Sequence, residues 1–190
     1  MACEYRPLVG RLYAQAMTEK ASSIFDFRPL GLGHIGQLRA LEQEALAHLE
    51  RPDLLRRNTE QMWHECLQPP HICLGAWVGD ELAGFGVLYF PAKGGGEELA
   101  RLLVGVDVEH CISANYKICI VHPRWRGHGL QVQIGERLAA RAKERGIDLL
   151  CATASPYNMA SVKSLLRLGY REDSRVEKYG FERILFYRIN

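Results

Sequence analysis

The segment Val121-His-Pro-Arg-Trp-Arg-Gly-His-Gly-Leu-Gln131 carries the residue types and spacing that best match a definite chemistry. An apolar strand-like run ends at Val121, and Pro123 lacks the backbone donor that would continue a ladder. Gly127 and Gly129 let the main chain approach a ligand with no Cβ in the way. A helical pattern opens directly after them. The first N–H groups of a helix have no intrahelical acceptor and sit at the positive end of its dipole. Such a turn binds an anion with its backbone, and Arg124, Arg126 and His128 can add charge. No Gly-x-x-x-x-Gly-Lys-Ser/Thr is present, which excludes a nucleotide P-loop.

Other groups could move protons. Asp107, Glu109 and His110 stand just before the apolar run 113–121, and Glu109 is the leading candidate for a general base. Each also fits a solvated loop. Tyr116 and Tyr157 flank the turn, with packing as the alternative role. Glu97 and Glu98 lie in a long irregular connection from Pro91 to Cys111 and could attract a cationic amine. Ser113, Asn115 and Lys117 alternate, so a plain strand would place them on one face. A second glycine pattern, Gly31-Leu-Gly-His-Ile-Gly36, matches a dinucleotide fingerprint letter for letter. A dinucleotide fold needs a second strand about 20 residues on, and residues 50–57 (ERPDLLRR) do not form one. We read this run as a loop leading into a helix, with nicotinamide oxidoreduction as the rival it leaves. The cysteines Cys3, Cys66, Cys73, Cys111, Cys119 and Cys151 form no Cys-x-x-Cys pair and no zinc pattern. They read as reduced thiols of a cytoplasmic protein, and no metal is expected.

Hydrophobic periodicity supplies the elements that must position these groups. A short strand over 24–29 is followed by an amphipathic helix over 34–49 and a second helical patch over 54–67. Two strands, 72–79 and 82–90, flank Gly79-Asp80-Glu81 as a hairpin. Then come a strand over 113–121, a helix over 129–145, a strand over 148–154, a helix over 158–168 and a last strand within 182–189. Residues 1–22 lack a clear period and read as an extension to one domain over 23–190. This order fits an α/β (α+β) fold with a mixed, largely antiparallel twisted sheet and helices on both faces.

Bulk properties narrow the function. The 190 residues are 47% hydrophobic and 24% charged, the balance of a soluble globular domain. A formal charge of +2 argues against a nucleic-acid binder. No apolar run reaches membrane-span length, and the N-terminus does not read as a signal peptide.

Taken together, Val121, Pro123, Arg126, Gly127 and Gly129 resemble the acyl-CoA signature of the GCN5-related N-acetyltransferases (GNAT). In that signature a strand runs into Val-x-Pro and then Arg-Gly-x-Gly-x-Gly/Ala. Gln131 stands here where the family has Gly or Ala. Asn158, Ser161, Gly169 and Tyr170 match a second family motif at the family spacing. The resemblance implies a GNAT fold and direct acyl transfer from acetyl-CoA to an amine of a small molecule or peptide. It also implies a cofactor set of Cys119, Ile120, Val121, Arg126, Gly127, His128, Gly129, Leu130, Gln131, Val132, Asn158 and Ser161. Asn158 would support the pantetheine arm, and it is equally a helix N-cap. A backbone N–H near Ile120 or Val121 would serve as the oxyanion donor. The family's frequent acid positions are Leu165 and Thr153 here, and neither can be carried over as an acid. A non-catalytic acyl-CoA-binding module is therefore the alternative, and the reading leaves a homodimer open.

Overall fold

The computed structural model describes residues 24–190. The expected extension over 1–22 and Cys3 lie outside the described residues. Seven strands form one sheet: β1 (Asp26–Leu30), β2 (Ile72–Val78), β3 (Glu81–Tyr89), β4 (Ser113–Val121), β5 (Leu149–Ala154), β6 (Arg171–Lys178) and β7 (Phe181–Ile189). Their order is β1-β2-β3-β4-β5-β7-β6. Every pairing is antiparallel except β4 with β5. The helices are α1 (Ile35–Ala47), α2 (Glu60–Cys66), α3 (Leu130–Glu144) and α4 (Met159–Arg167).

Both faces of the sheet are covered, as the patterning requires. Ile134 and Leu138 of α3 and Val162 and Leu165 of α4 pack on Leu88, Tyr116, Ala152 and Phe186. On the other face, Leu38 and Leu41 of α1 and Trp63 of α2 pack on Phe85, Val87, Ile118 and Ile120. Each such fully buried large side chain stabilises the fold by roughly 1.5–3 kcal/mol. A Cβ at Gly86 would lie 2.6 Å from Cγ2 of Ile134, so bare backbone there lets α3 seat on β3.

The structure departs from the sequence reading in two elements. β6 (REDSRVEK) was not expected, because it has no apolar alternation. It is an edge strand paired only with β7, where charge is favoured because it blocks edge-to-edge association. A bulge at Asp173 turns its carboxylate to accept from the N–H groups of Val104 and Gly105 at 3.2 and 3.0 Å, pinning the long connection. The helical patch expected over 54–67 is helical only from Glu60. Thr59 caps it, its Oγ1 accepting from the Met62 N–H at 3.2 Å. Asn58 is held outside the helix by the carboxylate of Glu42, which accepts from its backbone N–H at 3.0 Å and from its amide at 2.5 Å.

Two irregularities in β4 matter most. Its register against β3 shifts between Val87 and Leu88, leaving Lys117 as a bulged residue. The bulge switches the faces: Ala114 and Tyr116 join the α3 side before it, Cys119 and Val121 after it. Moreover, β4 pairs with β5 only over Ser113–Leu149, Ala114–Leu150 and Asn115–Cys151. Beyond Asn115 the two parallel strands part. Among the described residues, no helix is long and apolar enough to cross a membrane.

Candidate active site

The turn after β4 is an open cradle of amides. His122 and Pro123–Trp125 form a single 3-10 turn, the His122 ring accepting from the Arg124 N–H at 3.2 Å. Gly127 and Gly129 both have positive φ, +84° and +66°, which L side chains adopt at a cost. A Cβ at either would meet nothing within 4 Å, so the concave side is clear. Gly129 caps α3 without a side-chain bond. Among the described residues, the N–H groups of Gly127, His128, Gly129, Leu130 and Gln131 have no protein acceptor. That is the donor set a pyrophosphate needs. Arg126 borders the cradle. Arg124 instead reaches Glu81 at 3.5 Å, and the Trp125 indole donates to the same carboxylate at 3.1 Å, which braces the turn. The His128 ring packs edge-on to Phe25 and lies 6.0 Å from Trp125, so only its backbone faces the cradle side.

From the cradle a channel runs inward. Its wide part, about 430 Å³, is bordered by Cys119, Ile120, Val121, Gly127, Gly129, Leu130 and Gln131 on one side. The α4 residues Asn158 and Ser161 stand on the other. Its narrow part, about 100 Å³, passes through the gap between β4 and β5. The Gln131 amide donates to Ser161 Oγ at 3.2 Å and so bridges α3 and α4 across the channel. Asn158 Oδ1 accepts from the Ser161 N–H at 3.1 Å, and its Nδ2 donates to the Leu54 carbonyl at 3.3 Å. Asn158 is thus both a cap and a tether for the loop over the channel. Val132 packs into the core rather than bordering the channel.

Strand geometry identifies the free donors in the gap. The His122 N–H donates to the Ala83 carbonyl, and Val121 lies opposite Gly84. That makes Val121–Gly84 a non-hydrogen-bonded pair, so Ile120 and Ile118 give their N–H groups to β3. The N–H groups of Cys119 and Val121 point towards β5, where no strand accepts them. The Ile120 N–H is therefore committed to the sheet, while Val121 fits the oxyanion role.

At the far end, side chains from three distant segments converge: Arg56, Lys117, and Tyr179 with Arg183 of the β6–β7 hairpin. The Lys117 ammonium, 5% exposed, pairs with Glu97 at 2.6 Å and sits 3.7 Å over the Tyr89 ring. Asn115 donates to the Glu97 carbonyl at 2.6 Å. Burial works to raise the Glu97 pKa, but Lys117 and Lys178 more than offset it and hold the carboxyl below its ordinary range. Tyr179 has φ +61° in the β6–β7 turn, a strained value for a bulky residue. Its hydroxyl lies 3.5 Å from Glu97, and burial pushes its pKa up to about 12. Arg56 stacks on its ring at 3.9 Å.

The profile of the Acetyltransferase (GNAT) family matches residues 37–170. The chain belongs to the GNAT family. Solved structures with the same fold include the ribosomal-protein-S18-alanine N-acetyltransferase of Escherichia coli, at TM-score 0.64 and 16% identity over 86% of this chain and 92% of that one. NAA60 of Arabidopsis thaliana in complex with acetyl-CoA aligns at TM-score 0.66 and 14% identity, over 87% and 99%. The yncA protein of Salmonella typhimurium with its cofactor acetyl-CoA aligns at 0.63 and 15%, over 87% and 93%. No curated protein matches the chain in sequence.

Seen as a GNAT site, the proton-carrying candidates separate. Glu109 and His110 border a different depression with Lys93 and Glu98, near the start of β4. The free amides of β4 begin six residues past Ser113, about 20 Å further along the strand. Glu98 turns back to accept from the Gly94 N–H at 2.5 Å. Tyr116 does border the narrow channel, donating to the Gln131 carbonyl at 3.2 Å, and burial holds its phenol firmly protonated. Tyr157 is exposed, with the Arg51 guanidinium 3.9 Å above its ring. Leu165 and Thr153 both line the narrow part, the first apolar and the second a hydroxyl. Gly31 and Gly33 lie between β1, an antiparallel edge strand, and α1, and Gly36 lies in the first turn of α1, so no parallel crossover forms there. Among the described residues, no three His, Cys, Asp or Glu side chains gather as a metal site requires. The described cysteines are free thiols.

Proposed function

We propose that this chain is an N-acetyltransferase that moves an acetyl group from acetyl-CoA directly to a primary amine of a small molecule or peptide. Residues 23–190 act as one domain, and 1–22 are an appended segment. The observation that carries the reading is the continuity of the channel, from the amide cradle at Gly127–Gly129 through the gap between β4 and β5 to Tyr179. When bound, acetyl-CoA supplies a thioester carbonyl and a thiolate leaving group of pKa near about 8.5.

The chain does the rest. The cradle amides and Arg126 hold the pyrophosphate. Gln131, Asn158 and Ser161 line the path of the arm. The Val121 or Cys119 N–H donates to the carbonyl oxygen as it gains charge, worth on the order of 10² to 10³ in rate. The amine, with a pKa near about 10.4 if lysine-like, must shed a proton to attack. Glu97, rather than Glu109, is the carboxylate at this end. Held ionised by Lys117, it draws the ammonium in and passes the proton on to water. The sulfur leaves as a thiolate and takes its proton from water.

Calorimetry tests the first half, with acetyl-CoA expected to bind in the micromolar range. Absence of binding across a CoA series would defeat the reading. The apolar Leu165 at an acid position favours the rival of a non-catalytic acyl-CoA-binding module. Steady amine-dependent thiol release with any acceptor eliminates that rival, and binding without release establishes it.

A further inference from the structure

Arg183 is a charged side chain built into the interior. It is 4% exposed, directly before the buried run Ile184–Phe186 of β7, and its Nε and Nη2 are buried with no hydrogen-bond partner among the described residues. Nη1 of Arg56 is likewise buried and unpartnered. Both side chains border the narrow end of the channel. A guanidinium held out of water without an acceptor is costly, so its site is complete only with an anion in place.

The neighbouring carboxylates do not fill that role. Both oxygens of Asp53 accept from Arg51, at 2.9 and 3.2 Å. Glu97 is engaged by Lys117 at 2.6 Å and approached by Lys178 at 4.0 Å. Lys117, the third cation at this end, is thereby neutralised. Burial lowers the Arg183 pKa, and Asp53 and Tyr179 offset this only in part. Both arginine side chains line a space of about 100 Å³, too small for a large ligand.

We propose that the acceptor amine carries a carboxylate, which Arg183 and Arg56 hold at the narrow end of the channel. The proposal rests on the acyl-transfer reading above and names its substrate class: small amino acids, or a peptide end with a free carboxylate close to the amine. The planar fork of an arginine matches a carboxylate through paired N–H donors, which an amide cannot replace. In the transfer, the amine nitrogen bonds to the acetyl carbon, the carbon–sulfur bond breaks, the amine loses one proton and the sulfur leaves as thiolate to be protonated. The carboxylate is unchanged and serves only to place the nitrogen.

The test is initial-rate thiol release at saturating acetyl-CoA, with a panel of amino acids, their carboxamides and their aminophosphonate counterparts. The acid is expected to exceed its carboxamide in kcat/KM by on the order of 10² or more. Arg183→Met should bring the two within a few-fold, Arg56→Gln should narrow the gap, and Arg183→Lys should retain part of it. Acetyl-CoA affinity, read by calorimetry, should stay unchanged in all three variants. That control shows the variants are folded. Equal or faster turnover of the carboxamide, a ratio that survives Arg183→Met, or a preference for the phosphonate would overturn the proposal while acyl transfer stood. Failure of the native protein to bind acetyl-CoA would instead strike the acyl-transfer reading itself.

Discussion

At the wide end of the channel, one unbroken segment, 121–131, supplies the strand terminus, the turn and the helix start, and nearly every contact it offers is main chain. At the narrow end, Arg56, Lys117, Tyr179 and Arg183 arrive from three segments, and what they offer is side chain. The wide end needs little support beyond Glu81 beneath Arg124 and Trp125. The narrow end needs a bulge at Lys117, a strained φ at Tyr179 and buried charge at Arg183. In the proposed function, backbone donors recognise what every acyl-CoA shares. There the side chains of the narrow end discriminate among acceptors, and they can change without disturbing the turn.

Substitutions at the two ends should therefore separate donor binding from turnover. The largest effect is expected from Gly129→Val. A β-branched residue at φ +66° costs about 1–2 kcal/mol in backbone alone and places methyls in the cradle. Calorimetry should show acetyl-CoA affinity reduced by on the order of 10² or more, with the fold retained by circular dichroism. Next is Glu97→Gln, which should lower kcat by on the order of 10 to 10² and leave the KM for acetyl-CoA in place. A rise in that KM instead would dissolve the division between the two ends. Asn158→Ala should lose a helix cap worth about 1 kcal/mol, lowering Tm by roughly 2–4 °C. If acetyl-CoA affinity also falls several-fold, Asn158 serves the arm as well as the helix; unchanged affinity makes it a cap alone.

The smallest effect is a pH dependence. The Glu97 pKa lies below its ordinary 4.5, so the ionised pair with Lys117 contributes its stability in full above that value. The contribution is lost as pH falls through the lowered pKa. The Tm difference between the native protein and Glu97→Gln should be level from neutrality down to about pH 4.5 and shrink below it. A difference that grows on acidification would mean that burial, not Lys117, dominates at Glu97.

The same division governed what could be read beforehand. β4 and α3 were legible because apolar periodicity and the two glycines lie within one stretch, and the structure places both close to their expected limits. β6 was invisible because an exposed edge strand needs no apolar face. Its hairpin did leave a trace, since Tyr179-Gly180 joins two strand-length runs as a tight turn would. The break before α2 was hidden because Arg-Arg-Asn-Thr-Glu reads as polar helix unless Thr59 is recognised as its cap. Arg183 carried the clearest missed signal: a charge in register with buried Leu185 on one face of β7. No spacing rule joins residues 56 and 117 to the 179–183 hairpin, because only tertiary packing brings them together.

The short pairing of β4 with β5 has a mechanical side. Strands β1–β4 and strands β5, β7 and β6 are stitched by three residue pairs, with Leu168 against Gly135 and Gln131 to Ser161 as further ties. The backbone ladder is thus thinnest along this line, although one apolar core spans both sides. A molecule lying along that line touches both sides, so occupancy should register as slower hydrogen exchange at the amides bordering it.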